Sequence, residues 1–155
     1  MPFSPPSADK IQQSFQKLSN SAKALNKSSD ELSASVAEID VALQKLNLGI
    51  SRWVEIHEET KNNQFVTRYV GYDRVNAKWG ISIRSCVRKT KPSDPIETSN
   101  WTFSEAPRWL RVIAIDRLPD LFEGLVGEAD KQRVLIETRL AHARELASGV
   151  KGATR

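Results

Sequence analysis

The stretch from Gln64 to Lys91, QFVTRYVGYDRVNAKWGISIRSCVRKTK, decides the fold. It is rich in Val, Ile and aromatic residues and alternates with a period of two, so it reads as two strands, Gln64 to Val75 and Lys78 to Lys89. Between them Asn76-Ala77 makes a two-residue turn, because Asn tolerates the left-handed backbone that such a hairpin needs. Pairing outward from the turn sets Val75 against Lys78, Tyr72 against Ile81, Val70 against Ile83 and Val66 against Val87. Val66, Val70, Tyr72, Trp79, Ile81, Ile83 and Val87 then share one face, the expected core. The opposite face carries Phe65 opposite Arg88, Thr67 opposite Cys86 and Tyr69 opposite Arg84, with Lys78 and Ser82 nearby.

Working outward, Arg52 to Glu58 (RWVEIHE) reads as a preceding strand joined through a turn at Thr60 to Asn63 (TKNN). On the other side KPSDP, residues 91–95, is a loop, and NWTF, residues 100–103, adds a short fourth strand or an edge. Ser104 can cap a helix through EAPRWLRVIAIDRL, whose Trp109, Leu110, Ile113 and Leu118 are spaced to cover a sheet face.

Before the sheet the period changes to that of a helix. Ser7 can serve as N-cap with Asp9 in the first turn, where the helix dipole favours an acid. A heptad follows, with a positions Phe15, Ala22, Ser29, Val36 and Leu43 and d positions Ile11, Leu18, Leu25, Leu32, Ile39 and Leu46. This is a coiled-coil pattern, and it ends at Asn47-Leu48-Gly49, where Gly49 can close the helix. Such a helix is roughly 60 Å long and needs partners along its length. Its e and g sites are nearly all small or uncharged, which suits antiparallel packing or a bundle of more than two helices. A second long helix starts at Pro119, with an apolar series from Leu118 through Phe122, Leu125, Ala129, Ile136, Leu140, Ala143, Ala147 and Val150, and Gln132 as its polar exception. The expected arrangement folds this helix back along the first, with the strands inserted at the tip and the hairpin dimerised into a bundle. Helix contacts between chains, with the C-terminal helix elsewhere, are the other arrangement.

The fold class expected is therefore α+β: a long N-terminal coiled-coil helix, a small antiparallel β-meander of three or four strands, a short covering helix and a long C-terminal helix, as an oligomeric stalk and head. The segments run 1–7 (disordered tail), 8–49 (coiled-coil helix), 50–118 (head with covering helix), 119–150 (C-terminal helix packing on the stalk or on a partner chain) and 151–155 (tail). The chain of 155 residues, 39% hydrophobic and 27% charged, fits one ordinary domain of a soluble protein. A single cysteine, Cys86, and a start without a secretory signal point to a reducing, cytoplasmic compartment. No window approaches the ~18 apolar residues that span a bilayer, so membrane insertion is not expected.

Charge and chemistry bound the function. Seven basic residues (Arg68, Arg74, Lys78, Arg84, Arg88, Lys89 and Lys91) against Asp73 alone give the central stretch a charge of +6, above the whole chain's formal +4, so the remainder is net acidic. Such concentration is a footprint for a polyanion or an acidic protein surface, or a device that keeps exposed strands soluble. Phe65 and Tyr69 interleaved with Lys78, Arg84 and Arg88 on an open sheet could stack bases and neutralise phosphates. Alternatively, the helix bearing Trp109 or a partner chain covers Phe65 and Tyr69, each stacked on its cross-strand Arg. Catalytic signatures are scarce. Two histidines, His57 and His142, and one cysteine cannot supply a four-ligand zinc site of Cys and His, and HEE at His57 lacks a second His. A nucleophile pair of Cys86 with His57 across the sheet is the best enzymatic candidate. The expectation is a non-catalytic, cytoplasmic adaptor without cofactor or metal, oligomeric through Ile11, Phe15, Leu18, Leu25, Leu32, Val36, Ile39, Leu43 and Leu46. Its basic head would contact an acidic or other protein partner. The alternative is a nucleic-acid-binding module.

Overall fold

A computed structural model describes residues 4–5, 7–89 and 95–154. The reading of an N-terminal tail falls largely, and that of the 91–95 loop almost wholly, outside that set, as does Lys91. The order is α1 (Ala8–Lys45), β1 (Arg52–Lys61), β2 (Gln64–Val75), β3 (Lys78–Lys89), β4 (Glu97–Thr102), α2 (Arg108–Ile115) and α3 (Leu118–Ala153). The four strands form one antiparallel sheet in sequence order, so the molecule is α+β. The chain divides into two units: Met1–Ile39, whose described part is mostly helix, and Asp40–Arg155, which holds the sheet.

The turn chemistry sets the hairpins. Asn76 and Ala77 have φ of 53° and 65°, and the pairs Val75 with Lys78, Tyr72 with Ile81, Val70 with Ile83 and Val66 with Val87 follow as the sequence implies. Asn62 and Asn63, with φ of 51° and 60°, make a second two-residue turn, so β1 runs to Lys61, three residues beyond the expected end at Glu58. A bulge between Glu55 and His57 then shifts the register of β1 against β2. β4 begins at Glu97, three residues earlier than the NWTF reading.

One sheet face is the core. Val66, Val70, Tyr72, Ile81 and Ile83 are buried together with Phe103, Leu110 and Ala114 and with Leu118, Leu121 and Leu125 of the first turns of α3. Pro107 has no N–H to donate within a helix, so the expected single helix from Ser104 becomes a 3-10 turn at Phe103–Glu105 followed by α2. Pro119 sits in the first turn of α3, where a missing N–H costs nothing. Beyond that packed start every residue of α3 from Asp130 onward is exposed, and the helix runs to Ala153 instead of stopping at Val150.

α1 ends at Lys45, with Asn47 in the left-handed region at φ 51° two residues before Gly49. Its last turns belong to the sheet unit. Leu43 is buried, the Asp40 carboxylate accepts the Ile81 N–H at 2.7 Å, and Gln44 donates to the Trp79 carbonyl at 2.9 Å. β4 pairs with β3 only from Ser82 onward, so these two side chains, one helical turn apart, satisfy the edge of β3 where β4 is missing. Burial raises the Asp40 carboxyl above its ordinary value, and the Ile81 N–H offsets only part of that. A raised value favours the folded state in acid, and that contribution is lost as pH rises through it. Asp40→Asn keeps an acceptor for Ile81 without the half-buried charge. It should raise the melting temperature at pH 7 by on the order of 2 °C and change it little at pH 3.5, read by thermal unfolding at both pH values.

Candidate interaction surface

α2 and the start of α3 both pack on the Val70 face of the sheet, not on the opposite one. β1 contributes Trp53, Glu55 and Glu58 to the opposite face, β2 Phe65, Thr67, Tyr69, Gly71 and Asp73, and β3 Lys78, Ser82, Arg84, Cys86 and Arg88. The expected neighbours are in register, Phe65 opposite Arg88 and Tyr69 opposite Arg84. Phe65 is 44% exposed and Arg88 is exposed. Lys78 lies at the hairpin end of β3, six residues from Arg84, roughly 20 Å at the strand rise, and does not join this group.

The stacking partners differ from the expected ones. Arg84 does not pair with Tyr69 as its aromatic. Its guanidinium carbon lies 3.9 Å from the Trp53 ring centroid, its Nε donates to Asn100 at 2.8 Å, and its terminal nitrogen is 3.6 Å from the Asp73 carboxylate. Asp73 also accepts from Ser51 Oγ at 2.7 Å, from the Arg74 N–H at 2.7 Å and from Trp53 Nε1 at 3.0 Å. Partial burial works against this carboxyl's charge, but the Ser51, Arg74 and Trp53 donors and the Arg84 charge outweigh it and hold it below the ordinary value. The Trp53 indole lies across Gly71, the one residue type that leaves room for it. Trp53 and Asp73 are thus the organising residues that strand alternation alone did not single out.

Trp109 is on the other face, which corrects the expectation that its helix covers Phe65 and Tyr69. There it takes His57 edge-on at 5.2 Å between centroids and Arg68 at 4.9 Å, while Arg68 also pairs with Glu59 at 3.0 Å and lies 3.2 Å from His57 Nδ1. Cys86 stands opposite Thr67 and His57 opposite Arg68, so the two lie on opposite faces and form no nucleophile pair. The Cys86 sulfur is instead 3.8 Å from Thr98 Oγ1. Among the described residues no group of three or more His, Cys, Asp and Glu gathers to hold a metal, and no helix is long and apolar enough to cross a membrane.

The basic excess of the hairpin is not an excess of the open face. By alternation Arg68, Arg74 and Lys89 belong to the other side, leaving Lys78, Arg84 and Arg88 among Glu55, Glu58 and Asp73, with Arg84 already engaged. Of the oligomerisation residues, Ile11, Phe15, Leu18, Leu25 and Leu46 are exposed, Leu32 and Ile39 half-buried, and Val36 buried. Leu43 is not available to a second chain, because the core of the sheet unit buries it. No family model, curated protein or solved structure matches the chain.

Proposed function

We propose that the protein is a non-catalytic, cytoplasmic, self-assembling interaction protein: its long helices join chains, and the open sheet face with Phe65, Tyr69 and Arg88 meets a protein partner. The observation that carries this reading is the amount of helical apolar surface left in solvent. Ile11, Phe15, Leu18 and Leu25 of α1 are at least half exposed, and so are Val134, Leu135, Ile136, Leu146 and Val150 of α3. Apolar side chains left exposed along long helices mark association sites, and helix ends without packing are marginal in water. The single cysteine supports a reducing compartment.

Binding of single-stranded nucleic acid to the same sheet is the second reading, favoured by the exposed Phe65 beside Arg88. The mixed charge of the face and the internal engagement of Arg84 weigh against it. Sedimentation of the purified chain should give a dimer or larger assembly, and labelled single-stranded RNA and DNA should show no saturable, salt-sensitive change in anisotropy. A monomer at about 100 µM overturns the self-assembling reading. Saturable binding lost in Arg88→Glu would put the nucleic-acid reading first.

A further inference from the structure

The exposed part of α3 carries a charge pattern that its packed part does not. From Ala129 the helix repeats in heptads with Ala129, Ile136, Ala143 and Val150 at d and Arg133, Leu140 and Ala147 at a, running from Asp130 to Ala153 for about 36 Å. The flanking e positions are Asp130, Glu137, Arg144 and Lys151, acidic in the first half and basic in the second. All four are exposed, as are Ile136 (62%), Leu140 (42%) and Val150 (65%).

We infer that α3 is a homodimerisation helix that pairs antiparallel with α3 of a second copy about a two-fold axis between Leu140 and Ala143. The inference rests on the self-assembling reading above and names its partner, its helix and its orientation. An antiparallel pair sets a against d and e against e. In the register centred on that axis Ile136 meets the partner's Ala147 and Leu140 meets the partner's Ala143, large against small in each of the four central layers. The e positions then fall as Asp130 beside the partner's Lys151 and Glu137 beside the partner's Arg144, each occurring twice by symmetry. All four e-to-e pairs are of opposite sign. A parallel pair sets g against e instead and brings Arg139 against the partner's Arg144, a like-charge contact. At the start of the stripe a groove lined by Leu46, Leu48, Ile50, Ala129 and Ile136, with Arg133 and Glu137 among its polar residues, lies where the partner's last turns, with Val150, come to rest. Within one chain Arg133 is held by Glu137 at 3.3 Å and by Asp130 at 4.0 Å, which keeps this a position at the margin of the layers.

The test uses two full-length variants, one basic at every e site (Asp130→Lys with Glu137→Arg) and one acidic at every e site (Arg144→Glu with Lys151→Glu). In sedimentation equilibrium each alone should dimerise at least about tenfold more weakly than the unmodified chain, since four favourable pairs become four repulsive ones. A one-to-one mixture should recover the dimer as a heterodimer, which a misfolded variant cannot do. Unmodified protein that dimerises while both variants do so undiminished, or a mixture that stays dissociated, overturns the antiparallel pairing and leaves self-assembly to α1. An unmodified chain that is itself monomeric overturns the self-assembling reading and this inference together.

Discussion

Replacing Gly71 by Ala should destabilise the protein by about 2–3 kcal/mol, a large effect for one methyl group on a strand. A Cβ at Gly71 runs directly into the Trp53 ring and comes within 2.7 Å of the Arg52 carbonyl oxygen, so side chain and backbone must both move. Moving the indole also pulls its N–H from Asp73 and its face from Arg84, so a steric conflict spreads to the carboxylate that holds Ser51, Trp53 and Arg84 together. At 2–4 °C per kcal/mol for a chain of this size, the midpoint of thermal unfolding should fall by roughly 4–12 °C, with Trp53 emission shifted to the red. Gly124→Ala is the control. The nearest atoms to its Cβ all belong to the flexible Arg52 side chain, at 2.8 Å from Nε, and Ala is the better helix former, so the two effects nearly cancel. Equal effects at the two glycines would show that the Trp53 ring does not lie across Gly71.

The Trp53 cluster also shows where sequence reasoning stops. The β2–β3 register was legible because Asn76-Ala77 permits only a tight turn, and a period-two pattern then fixes both faces of twelve-residue strands. Counting in the same way from the Asn62-Asn63 turn pairs Lys61 with Gln64 and His57 with Arg68 correctly, but continuing straight on would set Trp53 against Tyr72 on the core face. The bulge at Ile56 moves everything before it by one residue, placing Trp53 against Gly71 on the open face and Val54 against the buried Val70. A bulge is set by how the twisted edge strand meets its surroundings, here including an Arg117 side chain that donates to the Glu55 carbonyl, and no local residue announces it. The seven basic residues misled for a related reason. Net charge along a strand pair says nothing of the acids on the next strand, and Glu55 and Glu58 of β1 dilute the face that the hairpin alone makes basic.

Removing α1 should damage the head, not merely detach it. A heptad reads as a stalk, and by that reading deletion of Met1 to Leu46 leaves a folded sheet domain. The last turns of α1 argue otherwise: Leu43 is in the core, Asp40 and Gln44 stand in for the missing end of β4, and removing all three exposes the Trp79–Ile81 edge of β3. Leu43→Ala alone should cost about 2–5 kcal/mol, the usual range for a buried leucine, and the deletion must cost more because it also takes away the partners of the Ile81 N–H and the Trp79 carbonyl. Set against a total of roughly 5–15 kcal/mol for a domain, that is enough to unfold a large fraction of the molecules at 37 °C. Deleting only Met1 to Asn26 removes residues that, where described, are exposed apart from the half-buried Ser19, and should leave the midpoint of urea unfolding unchanged. Tryptophan emission of the two truncated chains separates the cases: native-like for both would mean that the head folds without its helix, whereas native-like for the shorter deletion alone makes the C-terminal end of α1 a structural member of the sheet.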